Sequence, residues 1–531
     1  MSSLVKSTSV VGAFTFVSRV TGFLRDAVIA QTFGAAAGTD AFFVAFKIPN
    51  FLRRLFAEGA FSQAFIPVLA EVKAQEDGPA MRGFVGKITG TFGSLLLILT
   101  IGGVLAAPLL VTLFAPGFVS DPAKFQIAVD MLRWTFPYVG LIALTALAGS
   151  ILNVFGCFAL PALTPVVLNL SMLAGMFWLA PFMQQPIMAL AIAVFIAGVV
   201  QLGLQVPFLR RIDMMPPSRW AWRDTRVRQV MRLMGPGILG SSVSQINLIV
   251  DMLVASFLAT GSVSWLYYSD RMVEFPLGIF AVAIGTVILP HLSLHHANAA
   301  SGAFSRTLDW ALRLVCLVGA PASLALFLLA GPLLATLFYY GEFRAHDVQM
   351  SAWSLMAFSI GLLPFMLIKV LAPGFFARQD TATPVRIGLY AIAVNTAISV
   401  VVVMPMAWFS VPAMHVGLAM ATSLAGVVNA LFLLKALRRA GIYVAGAGWG
   451  RLAGQILIAN SVMGVVLWNL GSADLDLWLA RTSTQRFVWL AASIVAGIAA
   501  YFSTLWLVGV RGAALRALWH PALQSDGISS K

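Results

Sequence analysis

The sequence predicts an all-α polytopic membrane protein with fourteen transmembrane helices. We expect two pseudo-symmetric six-helix lobes around a central cavity, plus two C-terminal helices. Three observations lead to this fold class. Of the 531 residues, 60% are hydrophobic and only 10% are charged, whereas soluble domains have about 25% charged residues. Long runs carry no charge, and the longest is the 76 residues of Trp134–Leu209. Lys and Arg are also distributed unevenly between alternate connections.

The fourteen helices follow from these runs in chain order. The first has one lysine and no convincing small-residue cleavage site, so we read it as a retained helix and not a signal peptide. At about 20 residues per span, uncharged runs account for helices 3 to 6 and 9 to 14, while helices 1, 2, 7 and 8 carry charges. The predicted helices are 8–33, 40–70, 86–115, 127–156, 160–182, 186–209, 229–259, 264–292, 308–340, 347–377, 383–408, 412–437, 448–471 and 485–510.

The basic residues of the connections predict the orientation. Twenty-two Lys and Arg fall on one face and five on the other, which places both termini in the cytoplasm because cytoplasmic loops collect positive charge. Seven of these arginines lie in 210–232. They serve as a topology signal or contact acidic lipid headgroups, and topology accounts for the basic balance without a nucleic-acid partner.

A faint internal repeat predicts the two lobes. The segment that starts at Asp26 reaches Pro67 after 41 residues, and a similar segment from Asp251 reaches Pro290 after 39. Six helices separate the copies, and an even number relates them by an axis along the membrane normal. We therefore expect an N-terminal lobe, a basic cytoplasmic linker, a C-terminal lobe, and a final pair of helices with a cytoplasmic tail. Their ranges are 1–210, 211–228, 229–440 and 441–531.

Seven further basic residues, outside the twenty-two and the five of the connections, lie inside predicted helices. An Arg or Lys at the bilayer centre costs roughly 2.5–3.5 kcal/mol, so seven would cost on the order of 20 kcal/mol, more than the net stability of a typical domain. They must face a wet cavity, pair with acidic residues, or extend along the helix to the membrane interface. The last alternative applies mainly to Lys369. The seven are Arg19, Arg25, Lys47, Arg53, Arg54, Arg271 and Lys369.

Helical spacing sorts these charges. On helix 2, steps of three or four residues make one polar stripe in which Arg54 and Glu58 can pair. Arg53 points about 100° away from Arg54 and has no acidic partner on its own helix. Polar residues on helices 1 and 8 flank the other arginines. The candidate gating or cavity residues from this pattern are Ser18, Asp26, Asn50, Arg54, Glu58, Asp270, Glu274 and Lys369.

Both lobes thus direct arginines toward the expected central axis. Because the planar arginine fork matches phosphate geometry, we expect a cavity for an anionic substrate with phosphate or carboxylate groups. Alternatively, Arg54–Glu58, Arg25–Asp26 and Asp270–Arg271–Glu274 are salt bridges that lock helices or close a gate. Asp251 and Asn395 form either a cation site or a satisfied polar pair.

Enzymatic and cofactor chemistry find no support. The two cysteines are far apart, the six histidines have no ligand spacing, and no Gly-Lys-Ser/Thr phosphate loop or Ser–His–Asp arrangement stands out. We therefore expect a non-enzymatic transporter without a cofactor. An ion gradient with a coupling cation, the membrane potential, or the gradient of the substrate would drive it.

At the charged helices the chain resembles the bacterial lipid II flippases, the MurJ (formerly MviN) family. The resemblance covers roughly residues 5–440, while the last two helices match by position and hydrophobicity. It rests on "SRVTGFLRDAVIAQTFGAAAGTDAFFVAFKIPNFLRRLFAEGAFSQAFIPVLAE", "GPGILGSSVSQIN", "GSVSWLYYSDRMVEFPLGIFAVAIGT" and "KVLAPGFFARQDTATPV".

The resemblance implies the multidrug/oligosaccharidyl-lipid/polysaccharide exporter superfamily and a bacterial inner-membrane role in peptidoglycan synthesis and cell shape. The substrate would be lipid II, an undecaprenyl diphosphate that carries a disaccharide-pentapeptide, and the other partners would be membrane lipids and proteins of cell-wall synthesis. By resemblance, Arg19, Arg25, Arg53 and Arg271 bind substrate, while Asp40 and Glu58 are linked to gating. The last two helices would shape a groove for the polyprenyl tail.

Other functions remain open from the sequence. A related exporter of another polyprenyl-linked glycan would have similar chemistry, whereas a drug exporter of the same superfamily would favour carboxylates and aromatics for cationic substrates. A scaffold or receptor on the same fold would be expected to lose the cavity arginines, and these are present.

Overall fold

A computed structural model describes residues 2–54, 61–75, 78–298, 300–408, 411–471 and 474–510, which are mostly helical. Packing divides the chain into two compact units, 1–264 and 265–531. The helices of the first unit are α1 (Ser2–Phe33), α2 (Ala37–Arg53), α3 (Ser62–Gln75), α4 (Gly78–Leu105), α5 (Ala107–Phe114), α6 (Pro122–Thr135), α7 (Pro137–Val154), α8 (Ala159–Ala174), α9 (Met188–Arg211) and α10 (Thr225–Ala255).

The second unit takes in most of α11 and all later helices. The sequence places α10 in the second lobe, but α10 packs in the first unit against α3 and α4. The predicted lobe ranges and their repeat remain a prediction. The remaining helices are α11 (Ser262–Pro276), α12 (Val282–Ala297), α13 (Ser301–Leu328), α14 (Ala330–Phe338), α15 (Ala345–Phe376), α16 (Ala382–Trp408), α17 (Met414–Arg439), α18 (Trp449–Asn469), α19 (Leu475–Ala480) and α20 (Ser483–Leu507).

All fourteen predicted helical regions contain helix, and the chain is a multi-pass membrane protein. Among the described residues, ten helical stretches are long and apolar enough to cross a membrane by length and composition. The predicted helices outside this set are 1, 2, 7 and 8. The ten are Gly78–Leu105, Pro122–Val154, Ala159–Phe182, Met188–Arg211, Ser301–Leu328, Ala345–Phe376, Ala382–Val403, Met414–Arg439, Trp449–Asn469 and Ser483–Leu507.

Several predicted single helices are interrupted. The predicted helix 127–156 breaks between α6 and α7 at Pro137, because proline has no N–H to continue the helical ladder. The predicted helix 264–292 changes to a π-helical turn at Leu277–Ala281, directly after Pro276. The predicted helix 40–70 appears as α2 and α3, and residues 55–60 between them lie outside the described part.

The connection between α9 and α10, residues 212–224, lies across α4 in the first unit and is called the strap. The amide of Arg219 donates to the carbonyl of Gly86 over 3.0 Å, and the amide of Ala221 donates to Thr91 Oγ1 over 2.9 Å. A Cβ at Gly90 would lie 2.4 Å from the Arg219 backbone. Only glycine therefore permits this approach, and the strap fixes the basic connection against α4.

Asp224 ends the strap and begins α10. Its carboxylate accepts from the amides of Arg226 and Val227 as the N-cap of α10, and from Lys87 Nζ over 2.7 Å. Burial raises the pKa of Asp224, but the hydrogen bonds from Lys87 and the amides outweigh it and hold this pKa below its ordinary value. The ionised carboxylate therefore stabilises the fold at neutral pH, and this contribution is lost as the pH falls through the lowered pKa.

We expect Asp224→Ala to lower the free energy of unfolding by about 1–2 kcal/mol at neutral pH, because it removes an N-cap and a partly buried pair. Thermal unfolding of the purified protein in detergent measures this change. The control is Asp130→Ala, which removes an exposed pair with Arg133 and exposed hydrogen bonds from Gln126 and should change stability by less than about 1 kcal/mol. Equal effects of the two substitutions would contradict the expectation.

In the second unit, Asp309 joins α13 to the α17–α18 connection. Its carboxylate accepts from Arg313 Nε, Tyr443 Oη and Trp449 Nε1, each over 2.7 Å, and from the amide of Gly446 over 3.2 Å. The hydroxyl of Tyr501 on α20 donates to the carbonyl of a residue on α13. The two C-terminal transmembrane helices are therefore packed and hydrogen-bonded to α13.

Candidate functional site

Arg25 is buried in the first unit and fully engaged between α1 and α8. Its Nε and Nη2 donate to Asp26 Oδ1 over 2.9 and 2.6 Å, and its Nη1 donates to Asn169 Oδ1 over 3.0 Å. The amide nitrogen of Asn169 donates in turn to the carbonyl of Ser18 over 3.0 Å. The charge is therefore paired and hydrogen-bonded, the condition under which a buried ion is tolerated.

Gly22 is what lets α8 approach this network. A Cβ at this position would lie 3.3 Å from Asn169 Nδ2, which is tighter than ordinary van der Waals contact. Arg19 is exposed one and a half turns before Arg25, and it forms no hydrogen bond or ion pair with the described residues. The predicted Arg25–Asp26 salt bridge is thus present, whereas Arg19 donates to none of the residues that the structure describes.

On α2, Arg53 and Arg54 differ in surroundings. Arg53 is half-buried and its Nε donates to Asn50 Oδ1 over 3.1 Å, while Arg54 is exposed. Lys47 is half-buried on the preceding turns. Glu58 lies outside the described residues, so its predicted pairing with Arg54 stays a prediction.

Arg53 borders a cavity of about 340 Å³ inside the first unit. The cavity lies among α2, α3, α7, α8 and α9, and much of its lining is polar but uncharged. Within the described residues its lining has no carboxylate, and Arg53 is the one cation. The polar lining residues are Arg53, Ser62, Tyr138, Thr145, Ser150, Asn153, Thr164, Gln201 and Gln205.

Asp40, at the start of α2, is a buried carboxylate that accepts four hydrogen bonds. It is 0% exposed. Its Oδ2 accepts from Lys124 Nζ and from the amide of Gly261, both over 2.8 Å. Its Oδ1 accepts from the amide and the hydroxyl of Ser264, over 3.0 and 2.7 Å. Asp40 therefore ties α2 to α6 and to the connection that leads into α11.

The predicted residues of helix 8 lie on α11. Arg271 Nη1 donates to Glu274 Oε2 over 2.7 Å, and both side chains are partly exposed. Asp270, next to Arg271, is half-buried. The predicted grouping of these three residues is therefore seen in part, as an i,i+3 ion pair.

The other predicted polar residues of the helices are spread out. Lys369 is exposed on α15, and Asn395 is buried on α16. Asp251 is half-buried on α10, in the first unit. Among the described residues, no three His, Cys, Asp or Glu side chains gather as a metal site would require. The Asp251–Asn395 cation site stays a prediction.

Three functional features escaped the sequence reasoning. The sequence predicted Lys124 to lie in a loop, where its charge would indicate only the membrane orientation. In the structure it is buried and donates to Asp40. Asn169 lies in the uncharged run Trp134–Leu209, and the sequence pattern assigned it no role. Gln201 and Gln205, one helical turn apart on apolar α9, share a face, and this spacing is a signal that could have indicated a polar cavity.

Comparison with known proteins agrees with this arrangement. Residues 29–502 match the family model "Lipid II flippase MurJ". The chain is 46% identical to a probable lipid II flippase MurJ of Vibrio cholerae, over 97% of this chain and 98% of that protein. It is 42% identical to the lipid II flippase MurJ of Burkholderia cenocepacia, over 97% of this chain and 99% of that protein.

Solved structures give the same result for the fold. A lipid II flippase MurJ in an inward closed conformation is similar with a TM-score of 0.77 and 26% identity, over 97% of this chain and 99% of that one. An inward-facing MATE-family multidrug transporter shares the fold with a TM-score of 0.60 and 14% identity, over 80% of this chain and 95% of that one. The chain thus belongs to the lipid II flippase MurJ family, whose members are transporters and not enzymes.

Proposed function

We propose that this chain moves lipid II from the cytoplasmic to the periplasmic leaflet of the bacterial inner membrane by alternating access. The observation that carries the proposal is the position of Arg53, at the edge of a polar cavity that has no carboxylate in its described lining. A guanidinium beside such a cavity favours an anion, and its planar fork suits the oxygens of a diphosphate. The names of the relatives agree with this chemistry.

Arg19, Arg25, Arg53 and Arg271 form the proposed diphosphate-binding set. Arg19 is exposed and has donors to offer, and Arg53 borders the cavity. Arg25 and Arg271 already hold carboxylates, Asp26 and Glu274. A phosphate oxygen is also an anionic acceptor, and a guanidinium has five N–H donors, so each arginine binds the phosphate while it keeps its carboxylate.

Asp40 forms part of the proposed gate. The predicted topology places the start of α2 and the α10–α11 connection on the periplasmic side. The four hydrogen bonds that Asp40 accepts would hold that side together. Release of the Gly261–Ser264 connection is then the step that lets the periplasmic side open.

The other candidate cavity residues complete the proposed pathway. We propose that Ser18, Asn50, Arg54, Glu58, Asp270 and Lys369 keep the route of the headgroup wet. An inside-negative membrane potential favours outward movement of an anion by roughly 2.3 kcal/mol per charge per 100 mV. A cation held at Asp251 and Asn395 is the alternative means of coupling, and proteins of cell-wall synthesis are the candidate partners.

The function is tested in bacterial cells depleted of their own flippase. Lipid II on the outer leaflet is measured by an enzyme that cleaves only exposed headgroups. We expect the precursor to become accessible when this chain is expressed and to stay inaccessible without it. Accessibility that does not depend on this chain would rule out the proposal, and export of a different polyprenyl-linked glycan would identify the related exporter function.

A further inference from the structure

The cavity beside Arg53 has an unusual hydrogen-bonding balance. Gln201 and Gln205 are 2% and 1% exposed, and both line the cavity. Their amide oxygens have no donor among the described residues, although Gln201 Nε2 donates to the carbonyl of Thr164 over 2.7 Å. A buried acceptor without a donor costs about 1–3 kcal/mol. An occupant of the cavity that donates hydrogen bonds to the amide oxygens of Gln201 and Gln205 would therefore be favoured.

The hydroxyls of the lining increase this demand. Thr145 Oγ1 donates to the carbonyl of Leu141, and Ser150 Oγ donates to the carbonyl of Ala146, both over 2.8 Å. Each hydroxyl has one proton, so Thr145 presents only lone pairs to the cavity, while Ser150 Oγ also lies 3.3 Å from the hydroxyl oxygen of Ser62. The lining thus presents several acceptors, with Arg53 as its charged donor.

The charges indicate a neutral occupant. A cation would also satisfy the acceptors, but Arg53 already brings a positive charge to the lining, and like charges repel. Sugar hydroxyls and acetamido N–H groups are neutral donors. The volume of about 340 Å³ is at the small end of ligand pockets, so it suits a part of a large headgroup.

We propose that this cavity binds the N-acetylated sugar that is bonded directly to the diphosphate of the lipid-linked substrate. The inference rests on the proposed function, since it places the diphosphate at Arg53. The sugar next to the phosphorus is the part of the headgroup that such an anchor brings to the cavity. Gln201 and Gln205 accept its hydrogen bonds, and they distinguish a glycosylated lipid from a bare polyprenyl diphosphate.

The test uses the full chain in lipid nanodiscs and two probes, a polyprenyl diphosphate and the same lipid with one N-acetylated hexosamine. Native mass spectrometry gives both affinities. We expect the wild-type chain to bind the glycosylated lipid about tenfold more tightly, as two hydrogen bonds allow. The double variant Q201L/Q205L should bind both lipids equally, with its affinity for the bare diphosphate unchanged.

Two further variants make the test specific. Gln126→Leu, an exposed glutamine on α6, should keep the tenfold preference. Thr145→Val keeps the side-chain volume and removes one acceptor, so it should reduce the preference about threefold, and it serves as the test if the double variant does not fold.

The outcomes separate the two proposals. A double variant, or in its place a Thr145→Val chain, that keeps the full preference would show that the cavity holds only water. A wild-type chain that binds both lipids equally would overturn the sugar site and leave the diphosphate site standing. Failure of the wild-type chain to bind either lipid would overturn the proposed function itself. A third probe with a peptide on the sugar shows whether peptide N–H groups add to the preference.

Discussion

Arg53→Ala is expected to abolish lipid II transport in flippase-depleted cells. The substitution removes the guanidinium at the edge of the cavity, and each lost charge-assisted hydrogen bond is worth about 1.5–3 kcal/mol. One such bond therefore corresponds to roughly a 10- to 150-fold loss of affinity. Growth without the native flippase and the amount of exposed precursor are the two measurements.

Arg53→Lys should give an intermediate result, because it keeps the charge and loses the planar fork. The matched control is Arg133→Ala, which removes an exposed arginine on α6 and should support normal growth. Immunoblots of membranes must show equal amounts of each variant. Full growth on an Arg53→Ala chain that is present at normal levels would remove the central evidence for a diphosphate site.

Asp40→Ala is expected to produce the largest loss of stability. Asp40 and Lys124 are both buried, and the substitution leaves the Lys124 ammonium without its carboxylate. Removal of one partner of a buried pair costs about 3–5 kcal/mol, and the donors of Gly261 and Ser264 lose their acceptor as well. Thermal unfolding of the purified chain should show this cost directly.

Lys124→Met gives the sharper part of this experiment. It leaves Asp40 with three remaining donors, the amides of Gly261 and Ser264 and the Ser264 hydroxyl. We therefore expect a smaller loss than for Asp40→Ala, and the double variant should be less destabilised than the sum of the two single ones. Strict additivity, or a larger effect of Lys124→Met, would show that the pair does not hold the connection as described.

The sequence predicted the helical regions well because their signals are local. Uncharged runs and steps of three or four residues depend only on neighbours along the chain, so they located the helices and the Arg271–Glu274 pair. Proline interruptions such as the one at Pro137 were missed, since an apolar run continues across them. The fourteen-span topology keeps the status of a prediction.

The site was harder to predict because its partners are distant in sequence. Asp40 pairs with Lys124 across 84 positions, and Arg25 bonds Asn169 across 144. No periodicity connects such residues, because helix packing alone brings them together. The contact of Arg53 is of the other kind, since Asn50, which accepts from it, lies only three residues earlier on the same helix.

The hydrogen bonds of Asp309 have a consequence for biogenesis. Its donor Tyr443 is synthesised 134 residues later, which at about 5–20 residues per second is a delay of roughly 7–27 seconds. During that interval Asp309 has only Arg313, four residues away, among the donors described above. The nascent chain therefore enters the bilayer with an incomplete carboxylate site, and α18 and α20 dock against α13 only once they have themselves been synthesised.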